Sequence, residues 1–387
     1  MDRINKAAYF VAFFIILQLR LFAGENDRHF SFRSIWIVRS SMISEEEIDK
    51  ALIFAKKNQF NHVFVQVRGR GDAFYKSSIV PRTYLVRNLL FDPLSYAIQK
   101  GHQLGLQVHA WMNVYLLWSS IQNPISQKHL LIQHPEWVDK SLLSELKTEI
   151  NPEYPNNGND CKYLSPLVPE SQTYLLTVLQ EVLENYNCDG LHLDYVRFCD
   201  IEYGYNSIGC GKFENEHGVD PLELFTKGNQ TLSGTKLDHF RNLWNQYRRD
   251  AVTDLIRQCG NLVLSIKPSC ILSVAVKPDL EEAKKRYYQE WDRWLAEGLV
   301  DYVVPMNYDP SLRKFAHNID IIHDNIPSKY LPGIVMGIAT YNQDALDARD
   351  KVRYTKVTGF SGISVFSYDS HKNNLDFFTP VIIDINQ

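Results

Sequence analysis

The apolar positions of this chain fall into short runs, and the stretches between them have a helical period. Runs at 34–38, 62–67, 106–112, 189–198, 271–276, 301–308, 333–338 and 362–368 are rich in Val, Ile, Leu and aromatic residues. Runs of that length and composition are expected of strands covered on both faces. Ser44 and Glu47 form a capping box that opens a helix running to about Asn58. Pro93 takes the favoured first position of a helix over 92–104. Further helices are predicted over 169–185, 237–259, 287–297, 314–325 and 343–356. Eight strands, most followed by a helix, predict an α/β fold of the (β/α)8 TIM-barrel type. A doubly wound open sheet would want a Gly-rich phosphate turn after its first strand, and Arg39-Ser-Ser-Met is not one.

Two connections break the rhythm. The segments 113–168 and 199–236 are long loops after strands three and four, and connections of that length inside a compact domain are usually functional. They are expected to wall a groove on one side of the barrel mouth. No repeat or linker divides the remainder, so 33–380 reads as a single domain.

The N-terminus adds a separate element. Arg3 and Lys6 precede an apolar run from Ala7 to Leu19, and Ala23 supplies a small residue for cleavage. This is the layout of a secretory signal peptide over 1–23. The run is short of the roughly 20 residues that a spanning helix needs. Membrane contact is therefore expected only through this segment where it stays uncleaved, and the mature protein is expected to be periplasmic or secreted. In an exported chain, six cysteines allow disulfides; Cys199 with Cys210 and Cys259 with Cys270 are the local candidates, and reduced buried thiols are the alternative.

The net charge is −4 and no long basic run is present, which argues against a nucleic-acid partner. Seven Trp and twenty-one Tyr suit a protein that stacks flat faces on sugars, although such residues also simply pack.

Alternation along each strand selects the residues that meet at the mouth. They are Gln66 and Arg68 on strand two, His109, Trp111 and Asn113 on strand three, and His192 and Asp194 on strand four. Lys277 and Asp279 follow strand five. Asn307, Tyr308 and Asp309 end strand six, and Tyr368 with Asp369 ends strand eight. Asp194 heads this set, because an ionised carboxylate on the inner face of a central strand is costly unless it is paired or opens onto a cleft. Arg197 and Arg68 are its candidate partners. Glycoside hydrolysis uses two carboxyl groups, and Asp279, Asp309 and Asp72 are the candidates for the second. Each also has a structural reading: Asp279 suits a helix N-cap, Asp309-Pro310 a turn, and Asp72 a loop fixed by backbone hydrogen bonds. His109 and His192 suit core positions. With Asp194 they would also suit a metal-dependent deacetylase, although no dense ligand motif accompanies them.

Five motifs carry a family resemblance. They are Gln66-Val-Arg-Gly-Arg-Gly-Asp-Ala-Phe-Tyr-Lys-Ser77, Asp92-Pro-Leu with Gly105-Leu-Gln-Val-His-Ala-Trp-Met-Asn113, His134-Pro-Glu-Trp-Val138, Asp189-Gly-Leu-His-Leu-Asp-Tyr-Val-Arg-Phe198 and Gly298-Leu-Val-Asp-Tyr-Val-Val-Pro-Met-Asn-Tyr308. In this order the chain resembles the glycosyl hydrolase-like family 10 proteins from about Arg33 to Tyr368. The resemblance implies a (β/α)8 barrel, an exported or envelope protein of bacteria, and hydrolysis of a glycan. It carries the presumed catalytic role to Asp194 and places Tyr195 and Arg197 beside it. Many members have Pro after the aromatic that follows the motif's Arg. This chain keeps Phe198 but continues with Cys199.

The expectation is an exported glycosidase acting on a bacterial envelope polysaccharide, peptidoglycan strands foremost, with no cofactor and no metal. A non-catalytic glycan-binding barrel is the alternative from another class.

Overall fold

The computed structural model describes residues 30–146, 162–225 and 234–386. The signal segment predicted over 1–23 lies outside them, as does Cys161. Eight parallel strands form the body: β1 (Phe32–Ile37), β2 (His62–Arg68), β3 (Gln107–Asn113), β4 (Gly190–Asp194), β5 (Ile271–Val276), β6 (Tyr302–Pro305), β7 (Val335–Ala339) and β8 (Gly362–Phe366). Their hydrogen-bonded order is β6-β5-β4-β3-β2-β1-β8-β7. Parallel bridges Val303 to Ile334 and Met306 to Gly337 join β6 to β7, so the barrel is nearly closed.

Helices over Glu45–Lys57, Pro93–Gln103, Pro169–Asn185, Thr235–Ile266, Leu312–Asn325 and Ala345–Thr355 pack outside the strands. The first begins at the predicted cap, where the Ser44 side chain accepts from Glu47 N. Two apolar layers result, as alternation requires. Outward residues such as Val63, Val65, Val108, Ala110, Leu191 and Leu193 pack in the layer that includes the helices. Inward residues Phe32, Trp36, Phe64, Trp111, Ala275, Val304 and Val335 fill the barrel.

Several boundaries differ from the sequence expectation, each for a local reason. The strand expected to reach 308 ends at Pro305; Asn307 N then turns back to Pro305 O and Tyr308 N to Met306 O. The helix expected over 287–297 is two, Leu280–Arg286 and Trp291–Ala296, because Asp279 caps an earlier start and Tyr288 takes φ +59 between them. The last strand stops at Phe366, and Tyr368 starts a short helix instead.

Within 113–168, Leu116–Trp118 pairs antiparallel with Lys162–Tyr163, which makes a small flap over one side of the mouth. Cys188, Cys210, Cys259 and Cys270 form no disulfide. Neither local pairing is present; Cys270, just before β5, meets Cys188, just before β4, thiol to thiol. Among the described residues, no helix is long and apolar enough to cross a membrane.

Candidate active site

The carboxyl end of β4 delivers Asp194 to the centre of the mouth. Tyr195, at φ +56, turns the chain there and donates its own N–H to Asp194 Oδ1 at 2.7 Å. The Trp111 indole N–H reaches Asp194 and also Asn113 Oδ1, the latter at 3.1 Å. Asn113 is the hub of this corner: it accepts from Gln66 at 3.5 Å and donates to Gly69 O at 2.9 Å. Asp194 is 5% exposed, and burial raises its carboxyl above the ordinary range. Arg197, the Tyr195 N–H, Trp111 and Lys277 oppose that rise without cancelling it. The environment therefore shifts this carboxyl toward its protonated form, the direction a general acid needs.

Aromatic residues floor and line the mouth. Trp36 meets Trp111 edge-on at 4.6 Å and Phe366 at 5.6 Å. Tyr308 stacks on Phe366 at 5.5 Å, and its pKa is pushed up first by burial and then by the charge of Asp194. Tyr195 lies under the Arg197 guanidinium, with centroid and charge 4.8 Å apart.

Other residues selected by alternation lie elsewhere. His192 is beneath the mouth, stacked on Phe64 at 4.1 Å and bonded to Ser273 Oγ at 2.8 Å; burial lowers its pKa to about 3. His109 is deeper still, 2.9 Å from His62. Its ring crosses a space kept open by Gly190, where a Cβ would come within 2.1 Å of His109 Nδ1. Arg68 leaves the inner face because the β2–β3 register shifts between Gln66 and Arg68, which pairs Arg68 with the outward Met112. Its guanidinium is fully buried and donates to the carbonyls of Asn113 and Val114.

Asp72 Oδ1 accepts from Arg70 N and shapes its loop. Asn307 ties Phe315 O and Asn318 together, fixing the next helix. Tyr368 packs on Phe54 outside the barrel. Asp279 Oδ1 caps a helix by accepting from Glu282 N at 2.9 Å. Asp309 Oδ1 accepts from Ser311 N, and Oδ2 pairs with Lys314 at 3.5 Å.

A family model described as glycosyl hydrolase-like 10 matches residues 31–356, which include every barrel strand except β8 and so all of the mouth but Phe366. The chain belongs to that family. Several relatives by sequence are named glycosyl hydrolases. The chain is 26% identical to glycosyl hydrolase YngK of Bacillus subtilis over 68% of its own length and 49% of that protein. It is 24% identical to glycosyl hydrolase DigH of Escherichia coli over 72% of its own length and 61% of that protein. It thus spans only about half to three fifths of these relatives.

In fold it is similar to the PgaB (BpsB) glycoside hydrolase domain of Bordetella bronchiseptica, with a TM-score of 0.66 at 13% identity over 91% of this chain and 98% of that one. The catalytic domain of a Paenibacillus polymyxa β-amylase follows at a TM-score of 0.59 and 12% identity, over 93% of this chain and 99% of that one.

For this member of the glycosyl hydrolase-like 10 family, the mouth also holds residues that sequence reasoning passed over. Trp36 and Phe366 follow from alternation on the first and last strands. Tyr163 and Tyr287 do not, since each arrives from a connection whose path only the fold defines.

Proposed function

We propose that the protein is an exported glycoside hydrolase that cleaves a bacterial envelope glycan, with peptidoglycan strands as the leading candidate. The placement of Asp194 carries the reading. It is a buried carboxyl at the strand carboxyl ends, biased toward its protonated form, with aromatic faces around it for sugar rings. In the proposed step, Asp194 gives its proton to the glycosidic oxygen as the bond to the anomeric carbon breaks. A water then adds its oxygen to that carbon and returns a proton to the enzyme. The second carboxyl role is assigned to Asp279 or Asp309, which follow β5 and β6 in the chain. The relatives' names and the family support a hydrolase acting on glycans.

A non-catalytic glycan-binding barrel is the second reading, favoured by the engagement of both Asp279 and Asp309 in backbone capping. The metal-dependent deacetylase has no support from the described residues, among which no group of three His, Cys, Asp or Glu could hold a metal ion.

Asp194→Asn distinguishes the two main readings when wild type and variant are incubated with glycan strands and assayed for both binding and new reducing ends. A hydrolase loses cleavage and keeps binding in the variant. Binding by both proteins with cleavage by neither moves the assignment to the binding barrel.

A further inference from the structure

Beside Asp194 lies a pair of cations, Arg197 and Lys277, that form no salt bridge among the described residues and have Asp194 as a shared carboxylate neighbour. Arg197 is 9% exposed, and its guanidinium lies among three tyrosine rings: Tyr195 at 4.8 Å, Tyr287 at 5.1 Å and Tyr163 at 6.0 Å. Its Nε has no hydrogen-bond partner, and among the described residues no carboxylate forms an ion pair with it. Lys277 Nζ approaches the same Tyr287 ring, at 4.4 Å, and it too lacks an ion pair among the described residues. Burial first, and then the nearby Arg197, lowers the Lys277 ammonium to about 8, so most of it remains charged at pH 7. The neighbouring cation Arg286 is different, since it is paired with Asp200 and Glu282.

The backbone holds this pair in place. Gln289, 1% exposed, accepts from Lys277 N at 3.0 Å and donates to Val196 O at 3.1 Å, which clamps the segments carrying both cations. Trp291 donates to Lys277 O at 3.0 Å. Two like charges brought together out of water and fixed there are unfavourable in the empty protein. Tyrosine faces offset part of that cost, because cations are attracted to ring faces. Asp194 offsets a further part of it, and burial, which raises its carboxyl, weakens that offset. Arg39 adds a further positive field that reaches Tyr195.

We propose that Arg197 and Lys277 form a subsite for a carboxylate on the sugar, so that the enzyme selects acidic glycans and places the acidic group next to Asp194. Arg offers a planar fork and Lys a point charge, a combination that grips a carboxylate from two sides. This inference rests on the glycan reading above and names the substrate chemistry within it. Both a hexuronic acid and a lactyl-ether acid on an amino sugar present that group.

The test measures binding to the Asp194→Asn protein by calorimetry, with hydrolysis followed separately on the wild type. The probes are two matched pairs: hexuronic oligosaccharides and peptide-free strands bearing lactyl ethers, each beside its carboxyl-reduced form. The expected result is at least about tenfold tighter binding of the acidic member in one pair or both, which also identifies the source of the carboxylate. Added to Asp194→Asn, Lys277→Met collapses the ratio and Lys277→Arg keeps it. Equal binding of acidic and reduced forms in both pairs, or a ratio untouched by Lys277→Met, overturns the subsite even where the wild type cleaves glycan. A preference for the acidic form with no cleavage by the wild type keeps the subsite and overturns the hydrolase.

Discussion

Replacing Trp111 with Phe removes one N–H donor from Asp194 while leaving an aromatic ring against Trp36. A hydrogen bond to a charged acceptor contributes about 1.5–3 kcal/mol, and one pH unit of pKa corresponds to about 1.4 kcal/mol. The indole N–H is shared with Asn113, and Asp194 keeps the Tyr195 N–H at 2.7 Å, so the lower end of that range applies. Losing a donor that favours the carboxylate makes the acid weaker, and its pKa rises further. A general acid works only while protonated, so kcat/KM falls as pH rises through the pKa of Asp194. In Trp111→Phe this basic limb moves to higher pH. The assay is the pH dependence of reducing-end release, with melting curves to confirm that the fold is kept. A limb that stays put or moves lower refutes the role given to Trp111 and, with it, the account of the proton on Asp194.

Three other outcomes test the scaffold. Gly190→Ala forces a methyl against the His109 ring and the Ile271 carbonyl, and is expected to cost about 1–3 kcal/mol in urea unfolding; an unchanged midpoint contradicts the packing described. Arg68→Met leaves the Asn113 and Val114 carbonyls without their buried donor, so a loss of about 2–4 kcal/mol is expected; wild-type stability would show that the pairing is idle. Burial raises Asp139 to about 7. An unfolded Asp ionises near 4, so the stability tied to its buried proton is full below about pH 4 and lost as pH rises to about 7. Asp139→Asn escapes that loss, and its stability relative to wild type should climb by up to about 4 kcal/mol over the window; a flat difference contradicts the buried proton.

The barrel was legible because its signal is local. Val63, Val65 and Leu191, Leu193 declare strands by composition, and alternation correctly puts Phe64 and Trp111 inside. The same rule misplaced Arg68, since a register shift between strands is set by pairing, which a single strand does not encode. The mouth was legible where a residue's own strand delivers it, as with Asp194, Asn113 and Trp111. Convergence from connections was not. Lys277 and Arg197 meet only because Gln289, on a segment between two helices, clamps both backbones. The capping of Asp279 was visible as Asp-Leu-Glu-Glu opening a charged helix, whereas its distance from Asp194 depends on barrel closure.

The central claim is that this mouth adds water across a glycosidic bond by way of Asp194. Mass spectrometry of glycan strands incubated in 18O-labelled water tests it most directly. The account predicts shorter products from the wild type carrying one labelled oxygen at each new reducing end, and none from Asp194→Asn. Unlabelled fragments, or labelled fragments produced equally by the variant, would contradict it.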